Sequence, residues 1–318
     1  MAITTGRPAA VAVRALRKTY PGGVEAVRGV DFDVPPGEVF GLLGPNGAGK
    51  STTIGMLTTT VAPTGGMARL AGFDVITQPV AARRVSSVVF QDATVDRGLT
   101  GRRNLDLHAR LWAVPAATAA ARSRALVDAF GLTDVVDRPV ASYSGGQRRR
   151  LEIARALMSA PQVLFLDEPT VGLDTRIRYE LLDLIAGLRA DRAMTTLLTT
   201  HYLDEAERLC DRVAIMHAGR IVALDTPTAL LADLGHELVE LRVRTDPTTA
   251  LAALRAHRLA GDDAFAVGST LTVPLHNHTA RDAVTIISEL GIATAGLSTR
   301  PPTLDDVYLR QTGDRLAA

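Results

Sequence analysis

Gly44-Pro45-Asn46-Gly47-Ala48-Gly49-Lys50-Ser51 is the stretch that decides the fold. It follows the apolar run Val39-Phe40-Gly41-Leu42-Leu43 and opens into the helical pattern Thr52-Thr53-Ile54-Gly55-Met56-Leu57. Strand, glycine loop and helix in that order make a phosphate loop. Glycines without Cβ let successive backbone N–H groups turn inward on an anion, and the helix adds the positive end of its dipole. Lys50 is then expected against the β and γ phosphates of a nucleotide and the Ser51 hydroxyl on Mg²⁺, with Asn46, Gly47, Ala48, Gly49 and Thr52 completing the phosphate-binding set. Of the 35 basic residues only Lys18 and Lys50 are lysine. A chain that otherwise uses arginine has kept at position 50 the compact ammonium that fits between phosphates, where a planar guanidinium does not.

Four downstream features add what a phosphate loop lacks. Val163-Leu164-Phe165-Leu166-Asp167-Glu168 is an apolar run ending in two carboxylates, the pattern of a buried strand with acids at its tip. Phosphoryl transfer needs a metal to neutralise charge and a group to orient the nucleophile. Asp167 is therefore expected to hold Mg²⁺ through water, and Glu168 to polarise the attacking water. Gln91 ends the strand Val88-Val89-Phe90, where its amide would reach Mg²⁺ and water while the following loop faces another protein. His201 follows the Thr195 to Thr200 strand, where an imidazole would bond the γ-phosphate and the attacking water. Taken singly, Gln91 is unremarkable and a lone histidine such as His201 is more often a surface or core residue. Ser144-Gly145-Gly146-Gln147 opens the helical pattern Gln147 to Met158, a second helix N-terminus suited to an anion.

Short apolar runs alternating with helical patterns predict an α/β sheet with helices on its faces. Val11 to Leu16 and Val24 to Val34 read as antiparallel strands around the turn Tyr20-Pro21-Gly22-Gly23. Between Leu99 and Gly131 strands give way to helical periodicity at Asn104 to Trp112 and Thr118 to Phe130, a helical insert with Trp112 in its core. After the hairpin turn His217-Ala218-Gly219-Arg220 the nucleotide domain closes near Leu234. The expected division is a nucleotide-binding domain over 1–234, with a helical subdomain at about 99–160, and an accessory domain over 235–318. Strands at Leu238 to Val243, Phe265 to Val267, Thr270 to Leu275 and Thr294 to Ser298 enclose helices at Pro247 to His257 and Ala280 to Leu290. A helix at Leu304 to Arg310 follows. That βαββαβ order predicts a small ferredoxin-like domain.

A net charge of +1 gives no basic field, so nucleic acid is not an expected partner. Arg148-Arg149-Arg150, the densest basic run, reads as the solvated face of a helix. His276-Asn277-His278 has no neighbouring cysteine or acidic cluster and reads as a polar loop. Cys210 stands alone, which excludes an intrachain disulfide and fits a reducing compartment. Met1 to Val13 lacks the pattern of a secretory signal, and no stretch approaches the ~20 apolar residues that cross a bilayer. Any membrane role is expected to run through another polypeptide.

Taken together the chain resembles the nucleotide-binding subunits of ATP-binding cassette (ABC) transporters over about residues 8–234. The resemblance is carried by the phosphate loop, the Gln91 loop, the signature Tyr143-Ser144-Gly145-Gly146-Gln147, the strand Val163 to Glu168, the loop Val171-Gly172-Leu173-Asp174, and His201. Within that family it looks most like the ATPase subunits of the daunorubicin-resistance type of drug exporter. Val95 to Gly101, Tyr143 to Arg150, Thr200 to Ala206 and Pro302-Thr303-Leu304-Asp305-Asp306-Val307-Tyr308-Leu309 carry that likeness. It departs from the family at Tyr143, where Leu is common, at Arg103, where Glu is common, and at Thr175, where Pro is usual.

The resemblance implies an ABC-type nucleotide-binding domain with an antiparallel β subdomain and a helical subdomain, and ATP with Mg²⁺ as ligands. Tyr20 would stack on adenine, although a packing tyrosine explains it too. Two nucleotide-binding subunits would close head to tail, Ser144 to Gln147 of one completing the other's site, with Asp174 in the loop between. One chain cannot bring both of its anion-binding helix ends to one ATP, so a second copy is expected, together with membrane-spanning permease subunits at the cytoplasmic face of the membrane. The accessory domain is read either as stabilising or regulating that dimer or as inert. A soluble ABC ATPase is the alternative, but Lys50 and Ser144 lie too close for the long coiled-coil insertion of repair ATPases, and ribosome-acting relatives carry two cassettes. An importer ATPase commonly carries a C-terminal β-barrel, against which the βαββαβ order argues.

Overall fold

The computed structural model describes residues 8–191 and 194–313; the first seven residues of the N-terminal stretch read above lie outside it. A six-stranded sheet forms the centre. Its order is Arg220–Asp225, Arg212–His217, Val39–Leu43, Thr195–Thr200, Val163–Asp167 and Ser86–Val89, parallel except for the antiparallel hairpin of the first two. Val39–Leu43, Val163–Asp167 and Thr195–Thr200 are buried at every residue, which is why their sequences run apolar or β-branched instead of alternating. Register pairs Leu43 with Thr200 and Asp167 with Thr199. The carboxyl ends of three neighbouring strands therefore finish at one level, the place where open α/β sheets bind ligands.

A four-stranded antiparallel sheet packs alongside, in the order Glu25–Val34, Val11–Thr19, Gly65–Leu70, Phe73–Asp74. Its first two strands match the sequence reading. Gly65-Gly66-Met67-Ala68-Arg69-Leu70 was not legible as a strand, since two glycines and an alanine leave little alternation to read.

The insert comprises Gly101–Leu111, Ala116–Ala129 and Gly145–Leu157, each beginning two or three residues ahead of its sequence estimate. Thr100 caps the first by accepting from Arg103 N. Leu105, Leu126, Phe130 and Leu151 fill the core of the insert. Tyr143 is buried there too, and its hydroxyl donates to Val135 O at 2.7 Å, a satisfied bond where a leucine would bring none. Trp112 corrects the sequence reading: it is half-buried at a surface depression with Leu111 and Arg83, outside the core of the insert.

The C-terminal segment builds an antiparallel sheet ordered Phe265–Val267, Thr270–Leu275, Glu237–Val243, Thr294–Arg300, with helices Pro247–Ala256 and Ala280–Glu289. Val239, Leu241, Leu254, Val273 and Ile287 form its own core. The last helix, Leu304–Thr312, leaves that core and packs on Leu203–Leu209 and Pro227–Ala232. There Leu304, Val307 and Tyr308 join the main cluster. Tyr308 OH lies 2.8 Å from His217 Nδ1, and Glu207 accepts from Leu304 N at 3.1 Å. Arg300 ties the two parts together, donating to Glu240 and to both oxygens of Asp306 at 2.7 Å. Burial acts to raise the Asp306 pKa, but Arg300 and Thr303 outweigh it and hold the carboxyl below its ordinary range.

Candidate functional site

The phosphate loop joins Val39–Leu43 to the helix Lys50–Leu57. Gly44 at φ +145° and Gly49 at φ +104° stand where only glycine fits: a Cβ would lie 2.3 Å from Met216 O at the first and 2.4 Å from Ala26 O at the second. The loop is thus backed by main chain. Gly219 N donates to Ala48 O at 3.0 Å from the same hairpin that supplies Met216 O. Gly47, by contrast, opens on free space, and Asn46 beside it is exposed. Gly49 caps the helix without a side chain, so among the described residues no side-chain cap meets its first-turn N–H groups. Ala48, Thr52 and Thr53 complete the turn, Thr53 donating its hydroxyl to Gly49 O.

Across from the loop, Ser51 Oγ lies 3.1 Å from Asp167 Oδ1, which also accepts from the Thr199 hydroxyl at 2.5 Å. Lys50 Nζ sits 3.2 Å from Glu168 Oε1, both side chains almost wholly buried, and donates to Gly44 O at 2.7 Å. His201 Nδ1 is 3.2 Å from Glu168 Oε2 without hydrogen-bond alignment, and its ring packs on Tyr202 with centroids 4.1 Å apart. Glu168 adopts φ +45°, a left-handed conformation that costs a non-glycine residue about 1–3 kcal/mol. Its N–H is held by Thr199 Oγ1 at 2.9 Å. Five side chains from three strand ends therefore converge: Lys50, Ser51, Asp167, Glu168 and His201.

Other predicted residues lie apart from that cluster. Gln91 is exposed, and its side chain makes no hydrogen bond among the described residues. Tyr20 is 36% exposed, with Lys18 Nζ 5.0 Å from its ring centroid. Ser144 caps Gly145–Leu157 in a closed box: its Oγ accepts from Gln147 N, and Gln147 Oε1 accepts from Ser144 N at 2.9 Å. Gly145 is exposed, while Gly146 is buried against Ile177. Asp174 is exposed and caps the helix Thr175–Asp191 by accepting from Ile177 N.

Sequence reasoning missed two supports. The run Arg148 to Arg150 is not a solvated face: Arg149 is buried and reaches back to the carbonyls around Glu168. It lies four residues before the buried Ile153, so helical spacing carried the signal that composition hid. Glu205 is fully buried, accepting from Thr170 and Thr200 hydroxyls, and burial raises its pKa. Beside it Arg178 bonds Asp204 at 2.7 Å and stacks over the Tyr202 ring, joining the helix after Asp174 to the segment after His201.

A parallel sheet whose strand ends bring a phosphate loop, an acidic pair and a histidine to one point defines a phosphate-loop ATPase. The sequence profile of the family described as ABC transporter matches residues 27–171. Over 312 residues the chain is 42% identical to the daunorubicin/doxorubicin resistance ATP-binding protein DrrA of Streptomyces peucetius, spanning 96% of this chain and 92% of that protein. It is 39% identical over 311 residues to the Nod factor export ATP-binding protein I of Ralstonia nicotianae, spanning 95% and 94%. In structure it is similar to cbiO1 from Clostridium perfringens, part of the ABC transporter complex cbiONQ, with a TM-score of 0.66 and 27% identity over 71% of this chain and 92% of that one. The chain belongs to the ABC transporter family, as an ATP-binding and ATP-hydrolysing subunit. ATPase subunits of this family work as dimers with membrane permease components.

Proposed function

We propose that this chain powers the export of drugs, antibiotics or other hydrophobic small molecules through separately encoded membrane-spanning subunits. Support comes from likeness along nearly the whole chain to resistance and export ATP-binding proteins. Among the described residues no helix is long and apolar enough to cross a membrane, in keeping with a subunit held at the cytoplasmic face by its permease. The division proposed is a nucleotide-binding domain to residue 234 and an accessory domain beyond it, with the last helix returning to the first domain's core.

The observation that carries the reading is the buried contact of Lys50 with Glu168 beside the Ser51–Asp167 pair. In the proposed cycle the triphosphate of ATP lies along the loop backbone, and Lys50 exchanges Glu168 for phosphate oxygens, freeing the carboxylate to polarise the attacking water. His201 bonds the γ-phosphate and orients that water, and Tyr20 offers its open ring face to adenine. The adjacent oxygens of Ser51 and Asp167 suit a hard cation, Asp167 acting through water and Gln91 swinging in from its exposed loop. Bound Mg²⁺ would supply charge neutralisation on the phosphates. Ser144, Gly145, Gly146 and Gln147 serve the ATP of a second copy, with Asp174 between the sites.

The test is transport. Inverted membrane vesicles carrying the full chain and its membrane-spanning subunits should accumulate daunorubicin only with ATP, and not with Glu168→Gln. ATP turnover by the same vesicles without any such accumulation, across a panel of hydrophobic drugs, would remove the export reading.

A further inference from the structure

Arg149 stands out because all five N–H groups of its guanidinium are used, four on carbonyls at the edge of the ATP site and one on Glu152 of its own helix. Nε donates to Pro169 O at 2.7 Å. Nη1 donates to Phe90 O at 2.6 Å and to Glu152 Oε2 at 2.9 Å. Nη2 donates to Asp167 O and Glu168 O, each at 3.1 Å. Glu152, itself buried, uses its other oxygen to accept from Thr94 N at 2.8 Å. The pair thereby grips the Gln91 loop at both ends, Phe90 and Thr94, and the strand tip at three consecutive carbonyls. Both residues sit on the helix that Ser144 opens.

We infer that Arg149 is a positioning residue for ATP hydrolysis: it clamps the carbonyls flanking Glu168, and the loop bearing Gln91, to the signature helix. This rests on Glu168 being the group that polarises the attacking water, as proposed above. The left-handed backbone of Glu168 persists only where its surroundings over-determine it. Thr199 supplies the hold on its N–H, and Arg149, together with the longer bond from Val171 N, supplies the hold on its C=O. A rigid planar fork can meet five acceptors at once, whereas an ammonium offers three donors from one point. Lysine at 149 would thus keep the charge and lose the clamp. Because the same helix carries Ser144 at its exposed end, a shift of the Glu168 strand tip is passed directly to the surface that faces the second copy.

The experiment uses the full-length chain with Arg149→Lys, Arg149→Met, Glu152→Gln and Glu168→Gln, measuring steady-state ATPase, trinitrophenyl-ATP affinity and thermal midpoint. Arg149→Lys should lower kcat by about 10- to 100-fold, as expected for a misplaced catalytic group, while ATP affinity stays within about threefold of the parent. Glu152→Gln should lower kcat less, since the four carbonyl bonds of Arg149 survive. If Arg149→Met does not fold, Arg149→Lys and Glu152→Gln carry the reading by the same criteria. A merely structural arginine would depress the thermal midpoint and leave kcat intact in the folded protein, and that result overturns the inference. Glu168→Gln separates the two layers: if it retains turnover, the assignment of Glu168 fails; if it is inactive while Arg149→Lys turns over like the parent, only the clamp fails.

Discussion

Two helices of this ATPase begin in glycine-rich turns, and they are finished in opposite ways. At Lys50–Leu57 the cap is Gly49, with no side-chain acceptor and with a loop wall of main chain from Met216 and Ala26. At Gly145–Leu157 the cap is a closed box in which Ser144 and Gln147 satisfy each other at the exposed surface. The first end is left without a side-chain cap, beside a buried lysine. The second closes its polar side chains on each other and leaves Gly145 exposed while Gly146 packs on Ile177. Helix N-termini share one dipole physics. What distinguishes them is which donors are left over once the cap is made.

The largest expected effect falls on the first end. Glu168→Gln should reduce turnover by about 10²- to 10⁴-fold, the range for a general base, while ATP holds the subunits together as a dimer on size-exclusion chromatography. Retained hydrolysis would mean that the buried Lys50–Glu168 contact is not the centre of the chemistry. Next comes the second end. In mixed dimers with one Ser144→Arg subunit, hydrolysis should fall by roughly 10²-fold at the site holding the unmodified copy's phosphate loop, the scale for losing an oxyanion-stabilising donor. A loss confined to the substituted subunit's own site would break the proposed exchange.

A smaller effect compares the glycines directly. Gly44→Ala forces a Cβ to 2.3 Å from Met216 O and should cost about 1–3 kcal/mol in chemical denaturation, as overpacking does. Gly145→Ala, whose Cβ would meet Leu173 at an ordinary 3.7 Å, should leave stability within about 0.5 kcal/mol of the parent and touch only dimer-dependent turnover. Equal destabilisation by both would erase the distinction between a walled loop and an open one.

The mildest separation is by pH, on the signature side alone. Burial, with Arg155 of the signature helix beside it, lowers the His108 pKa from 6.5 to about 4. The unfolded chain then binds a proton that the folded protein refuses, so stability should decline as pH falls from 6.5 toward 4 and be unaffected by this group above 6.5. His108→Gln should flatten that part of the urea-midpoint profile. An unchanged slope would show that the histidine titrates freely.

Much of the site was legible because its elements advertise themselves locally. A strand buried on both faces is a continuous apolar run, so Val39 to Leu43 and Val163 to Leu166 could be read without partners. Lys50 was conspicuous against an arginine background, and the acids at 167 and 168 marked a strand tip. Arg149 was hidden by the same background, since a triplet of arginines looks like a solvated face until something packs on one of them. Gly65–Leu70 was hidden by its glycines and small residues. Trp112 reads as a core residue because large aromatics usually go there, whereas Phe130, Leu105 and Leu126 fill that space.

The sequence by itself determined the chemistry: an ammonium, a hydroxyl, two carboxylates and an imidazole, each at the end of a recognisable strand or the start of a helix. Side-chain type and local periodicity are written residue by residue, so they survive without a partner. Only the tertiary structure decided proximity. It put Lys50 against Glu168, sent Arg149 into the carbonyls behind that acid, left Gln91 outside the cluster, and returned Tyr308 from the C-terminal segment to His217. Those contacts join residues far apart in the chain, and packing of whole elements against one another selects them, a property no single stretch contains.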